Sequence, residues 1–222
     1  MPDTSLTWKN LKDHFRRYGV IYVVVMGLAA VLSSLLWTMT TPRVPEDQRV
    51  LIYVADAYTD VTPLKPITED VLREAQGYDP TLRAVDVESL RFADPDEDYT
   101  GVMVLMTRLA AGEGDVFLAG AKAMDALVQM GACEPLEPYY ENGWLDQLEP
   151  YYGEVTDPET GETTRFMAGL KLDSLESLLD MRVMYNEGAC LAVAVNGSNM
   201  ETSMKVAELL VERLQGEAGD DA

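Results

Sequence analysis

Histidine is almost absent from this chain: one residue in 222, His14. Cysteine is nearly as scarce, with two, and no CxxC pair exists. Metal centres built on imidazole and thiolate need clusters of those residues, so none is expected in the long segment beyond His14. The same shortage leaves no Ser-His-Asp or Cys-His arrangement for nucleophilic catalysis. Basic residues are also few and unevenly spread. Of 38 Asp and Glu and 17 Lys and Arg, two acids and four bases fall in residues 1–41, leaving 36 against 13 in residues 42–222, a formal charge of −23. Such a segment repels nucleic acid and anionic lipid. The charge reads as solubility beside a negatively charged envelope, or as a preference for cations or a basic partner.

What is present begins with residues 18–39, YGVIYVVVMGLAAVLSSLLWTM, which carry no charge at all. About 20 apolar residues cross a bilayer as a helix. Lys9, Lys12, Arg16 and Arg17 precede the run, which places the N-terminus in the cytoplasm by the positive-inside rule. Tyr18, Tyr22 and Trp37 lie at its ends, where amphipathic rings favour the headgroups. A cleaved signal peptide needs a small-x-small site, and Leu35-Leu36-Trp37 is too bulky for one. The expected organisation is a cytoplasmic head (1–17), a transmembrane helix (18–39), a linker (40–49), an extracytoplasmic domain (50–216) and an acidic tail (217–222).

The domain alternates strand and helix patterns. Val50–Ala55 is a continuous apolar run, as in a strand buried on both faces. Thr68 is expected to cap a short helix that Gly77 stops. Further strands are predicted around Ala84–Val87, Asp115–Ala119 and Cys190–Val195. A helix over Tyr99–Ala111 would turn Tyr99, Val102, Leu105, Met106 and Leu109 inward. Another follows Gly120, with Met124, Leu127 and Val128 inward. Ser198–Glu201 reads as a capping box for a C-terminal helix that buries Met204, Ala207, Leu210, Val211 and Leu214. The order implies an α/β domain with a largely parallel sheet. Cys133 and Cys190 sit in apolar surroundings and fit either a disulfide or two buried thiols. LEPYY occurs at Leu136–Tyr140 and again at Leu148–Tyr152, and with Trp144 supplies rings that either cover the core's edge or stack on sugars. Asp157–Gly161 reads as an acidic hairpin turn without the regular ligand spacing of a calcium loop.

The run LMTRLAAGEGDVFLAG (Leu105–Gly120), followed by LVQMGACEPL (Leu127–Leu136), resembles the extracellular solute-binding proteins of ABC importers. Val50–Ala55 is similar to that family's first strand, and Leu191–Asn196 with the C-terminal helix to the segment returning to the first lobe. The resemblance implies a three-layer α/β lobe like lobe 1 of a periplasmic binding protein, and ligand contacts at Asp56, Ala57, Tyr58, Gly120 and Ala121. Only about 25 residues separate the hairpin turn from Cys190, too few for a second lobe. A single lobe cannot enclose a ligand by hinge closure.

Ligands of open α/β sheets bind beyond the carboxyl ends of strands, which adds Asn196, Ser198 and Asn199 as candidates. The same residue types also belong at strand–helix junctions as turn formers. The sequence therefore predicts a single-pass membrane protein whose outer lobe is an interaction module for an envelope protein or another copy. The alternative is a solute receptor for a sugar, peptide or cation, working with an importer's permease. Enzymatic activity, a cofactor, a metal and nucleic-acid binding are not expected, since the many carboxylates of so acidic a segment are mostly solvated surface.

Overall fold

The computed structural model describes residues 8–40, 44–93, 98–156, 160–185, 187–195, 197 and 199–217. The chain forms two compact units, Met1–Arg43 and Val44–Ala222. The described residues of the first form one helix, α1 (Trp8–Thr40). It starts ten residues before the uncharged run, because the preceding residues have good helix propensity and the apolar stretch propagates the helix. Its segment Arg16–Trp37 is long and apolar enough to cross a membrane, and its large apolar side chains are exposed.

In the second unit a 3₁₀ turn at Glu46–Gln48 leads into β1 (Arg49–Asp56), so the expected linker is shorter than 40–49. The remaining elements are α2 (Leu64–Tyr78), β2 (Ala84–Arg91), α3 (Tyr99–Ala110), β3 (Val116–Ala119), α4 (Ala121–Gln129), α5 (Glu137–Tyr140), β4 (Pro150–Thr156), β5 (Thr163–Lys171), α6 (Glu176–Asp180), β6 (Cys190–Val193) and α7 (Met200–Glu217). They build one six-stranded sheet in the order β2-β1-β3-β6-β5-β4.

The sheet is mixed, which corrects the expectation of a largely parallel one. β1 pairs parallel with β2 and β3, while β3–β6, β6–β5 and β5–β4 are antiparallel. An apolar run of four to six residues looks the same whichever way the strand travels. Direction follows from the connections: helices cross between β1, β2 and β3, whereas β4 and β5 close as a hairpin whose turn residues 157–159 lie outside the described set. Ala168 is an extra residue between the pairs Tyr151–Gly169 and Tyr152–Met167, a bulge that bends β5.

The three central strands are buried on both faces, so the fold has two cores. Val50, Ile52, Val54, Val116, Leu118, Leu191 and Val193 meet α2, α6 and α7 on one side. Leu51, Tyr53, Ala55, Phe117, Ala119 and Ala192 meet α3 and α4 on the other. This is the expected three-layer α/β architecture. The edge strand β2 exposes Asp86, Glu88 and Arg91, charges that discourage pairing with another chain's strand.

Helix limits depart locally from expectation. Thr68 lies inside α2, buried, with its hydroxyl donating to the Lys65 carbonyl. The helix starts a turn earlier, where Pro66 is tolerated because first-turn N–H groups have no intrahelical acceptor. In α7 the described cap is Asn199, whose Oδ1 accepts from Thr202 N–H at 3.4 Å, and Ser198 lies outside the described residues. All five predicted inward residues of α7 are buried, along with Val206 and Leu209. The aromatic segment accounts for part of that burial: Trp144 Nε1 donates to the Met204 carbonyl at 3.2 Å, and Tyr140 lies half-buried on the same core. Tyr151 donates to Asp125 at 2.8 Å. These rings cover the edges of the core. Cys133 and Cys190 are free, buried together in the other core, on the α3 and α4 side, and burial pushes both thiols up to about 12. On α3 the expectation that Tyr99 and Met106 also turn inward is not met: Tyr99 is 75% exposed and Met106 48%.

Candidate functional site at the carboxyl ends of the parallel strands

β1 and β3 end side by side, so Asp56, Ala57, Tyr58, Gly120 and Ala121 gather at one edge of the sheet. Asp56 fastens this edge. Its Oδ1 accepts from Ala57 N–H at 2.7 Å, and its Oδ2 accepts from Tyr185 N–H at 3.2 Å. Its carbonyl accepts from Phe92 N–H at 2.9 Å. Gly120 caps α4 and donates to the Ala55 carbonyl at 2.8 Å. A Cβ at Gly120 would stand 2.7 Å from Asp56 Oδ1, so close approach of the two junctions requires glycine. Both residues are thereby used in building the edge.

Asn199 does not belong to this group. β6 runs against β3, with Val193 beside Val116, so its carboxyl end lies at the amino ends of the parallel strands. There Asn199 Nδ2 donates to Asp79 at 3.2 Å, joining the start of α7 to the end of α2. A parallel fourth strand would have put Asn199 beside Gly120, and the antiparallel β6 moves the junction across the sheet. Asn196 and Ser198 lie outside the described residues.

The edge also holds residues that sequence reasoning missed. Asp60 N–H donates to the Val183 carbonyl at 2.9 Å, which together with the Asp56–Tyr185 bond lays the loop after β1 against the segment after α6. Tyr58, Leu179, Arg182, Met184 and Tyr185 consequently line a shallow cavity of about 250 Å³. Tyr58, Leu179 and Tyr185 are 52%, 48% and 61% exposed. No local pattern flags them, because a five-residue helix and a tertiary hydrogen bond bring them together.

Arg182 is the strained member, with φ at 56°. It follows α6 in a Schellman turn: its N–H donates to the Leu179 carbonyl and Val183 N–H to the Leu178 carbonyl, each at 2.9 Å. Glycine usually fills that position, since a Cβ there is disfavoured by about 1–2 kcal/mol. An arginine held in such a conformation beside exposed rings directs attention to the face it lies on.

Among the described residues no group of three or more His, Cys, Asp or Glu is placed to hold a metal ion. The face offers two phenol rings, two aliphatic side chains and one guanidinium, chemistry suited to packing and charge-assisted hydrogen bonding. No family model matches the chain, and no curated protein matches it either.

Proposed function

We propose that this chain is a membrane-anchored, extracytoplasmic interaction module that contacts a protein partner through the Tyr58–Leu179–Tyr185 face. The observation that carries the reading is the exposed apolar group at the carboxyl ends of β1 and β3. In a two-lobed solute-binding protein, which the sequence resembles, the second lobe faces that edge; here only about 25 residues separate the β4–β5 turn from β6. Tyrosine and arginine are enriched among residues that dominate protein interfaces. The cavity is smaller than the 300–1,000 Å³ clefts that hold small molecules, which favours a protein partner over a solute at this face. Arg16–Trp37 would hold the module to the membrane, with the basic residues before it on the cytoplasmic side.

The test is site-specific photocrosslinking in native membranes, with the photoreactive group at position 58 or 185 of the full chain. One discrete protein adduct is expected from both positions and none from position 152, on the opposite edge strand. In parallel, thermal unfolding is followed against sugars, amino acids, peptides and divalent cations. A ligand at 100 times its dissociation constant adds about 2.7 kcal/mol. A clear shift with one solute class and no adduct would replace the module by a receptor.

A further inference from the structure

The helix α1 is longer than a bilayer is thick. Its 33 residues rise about 50 Å, against about 40–45 Å for a bilayer with its headgroups. The surplus lies at one end. Residues 8–15 precede the apolar segment Arg16–Trp37, and only 38–40 follow it. The preceding residues carry the helix about 12 Å beyond Arg16, through a headgroup layer about 5–7 Å deep. Lys9, Lys12, Arg16 and Arg17 belong to this end with one acid, Asp13, a net +3. The other end has no such cluster: residues 38–47 hold Arg43 against Glu46 and Asp47.

We propose that the basic end of α1 binds the headgroups of anionic phospholipids. Arg16 and Arg17 are exposed at the border of the uncharged run, and among the described residues no carboxylate pairs with either. A guanidinium there meets a lipid phosphate through two parallel hydrogen bonds. Positions 12 and 9 lie about 6 and 10 Å farther along the axis, hence no more than about 5 Å beyond the headgroup layer and inside a Debye length of about 8 Å. The rings at this end fix its depth. His14 lies against Tyr18 and Tyr22, with ring centroids 4.8 and 5.8 Å away, and its Nε2 is 2.7 Å from the Tyr22 hydroxyl. Such amphipathic rings settle at the level of the headgroups, which holds Arg16 and Arg17 at the same level.

Charge and position select lipid over other anions. A nucleic acid or an acidic protein needs a basic surface standing clear of the membrane, whereas Arg16 and Arg17 adjoin the apolar segment. Free phosphate meets the same charges, but the bilayer holds its own phosphates beside them at a far higher effective concentration. Basic clusters next to a span attract anionic headgroups for this reason. The contact gives the chain a preference for anionic regions of a membrane without help from a protein partner. The inference rests on the anchoring part of the reading above, whichever side of the membrane the basic end faces, and is independent of the Tyr58–Tyr185 face.

The experiment uses the full chain in vesicles of phosphatidylcholine and phosphatidylglycerol, with bromine on the acyl chains of one lipid or the other. Brominated chains quench a tryptophan they touch. In a Trp8→Phe background, Tyr22→Trp with Trp37→Phe reports the basic end, and the native Trp37 reports the far end. Trp144 packs on the core of the second unit and adds a constant signal. At position 22, phosphatidylglycerol is expected to bind at least about fivefold tighter than phosphatidylcholine, the effect of one basic residue at a membrane surface. At position 37 the two lipids quench alike. Replacing Lys9, Lys12, Arg16 and Arg17 together by glutamine removes the preference at position 22, while quenching by brominated phosphatidylcholine persists because the span remains. Replacing Arg16 and Arg17 by lysine keeps the preference, since the charge is retained. Added salt weakens it. Equal quenching by the two lipids at position 22, an equal preference at position 37, or a preference that survives the four glutamines each overturns the inference while leaving the anchor intact. Quenching of neither tryptophan by either lipid overturns the anchor and the inference with it.

Discussion

Asp115→Ala tests how the parallel half of the sheet is locked. The β1–β3 ladder begins at Ile52 and Val116, so Leu51 N–H stands one step outside it. It donates instead to Asp115 Oδ2 at 2.8 Å, while Asp115 N–H returns a bond to the Leu51 carbonyl at 2.9 Å. The Asp115 carbonyl also accepts from Ala194 N–H at 2.9 Å, so one residue ties the starts of β1 and β3 to the end of β6. Leu51 and Asp115 are both buried. Alanine keeps the backbone bonds but strands the Leu51 N–H, and an orphaned buried donor costs about 1–3 kcal/mol. Asparagine keeps an oxygen in place and should cost less than about 1 kcal/mol. For a domain of this size each kcal/mol moves Tm by about 2–4 °C. Asp115→Ala should thus melt about 2–12 °C below wild type, and Asp115→Asn within about 4 °C of it and above Asp115→Ala. Circular dichroism of the full chain in detergent, followed at the domain's transition, reads this directly. Equal losses in the two variants would refute the reasoning, because the acceptor would then not be what matters.

Gly114→Ala should destabilise by about 2–4 kcal/mol in the same assay, combining positive-φ strain with overpacking: φ is 98°, and a Cβ would lie 2.7 Å from the Tyr53 ring and 2.9 Å from the Phe117 ring. Arg182→Gly should do the opposite, raising stability by about 1 kcal/mol while removing the guanidinium from the proposed partner face, so Tm rises as the photoadduct weakens. Asp79 is held below the ordinary carboxylate range first by the Thr81 hydroxyl and then by Thr81 N–H, Thr202 and Asn199. Its stabilising effect is complete above the unfolded pKa of about 3.9 and is lost as pH falls through the lower folded value, so the stability gap between wild type and Asp79→Ala in urea melts should shrink on acidification and vanish at the acid limit. The thiols of Cys133 and Cys190, pushed up to about 12 by burial, should resist alkylation at pH about 8 and react fully once the domain is unfolded in guanidinium.

Composition and apolar periodicity by themselves determined a good deal. A twenty-two-residue run without charge is long and apolar enough to cross a membrane as a helix, and α1 contains it. Runs such as Val50–Ala55 must bury both faces, which requires helices above and below and hence three layers. Met204, Ala207, Leu210, Val211 and Leu214 repeat at helical spacing, and that stripe is buried. These signals are local, because each depends on which way side chains point within one element.

Tertiary structure alone decided the rest. Cys190–Val193 has the same apolar character whichever way it runs, and its pairing against β3 carried Asn199 to the opposite edge from Asp56 and Gly120. The side of α3 that faces outward was also not local: Met103 and Met106 are apolar like Leu105, and only the sheet's position selects which of them it covers. The Tyr58–Tyr185 face arises from two hydrogen bonds, Asp60 N–H to the Val183 carbonyl and Tyr185 N–H to the Asp56 carboxylate, between segments 120 residues or more apart in the chain. Hydrophobic periodicity encodes burial, whereas strand direction and the meeting of distant loops are settled by the connections and by which backbone groups find partners.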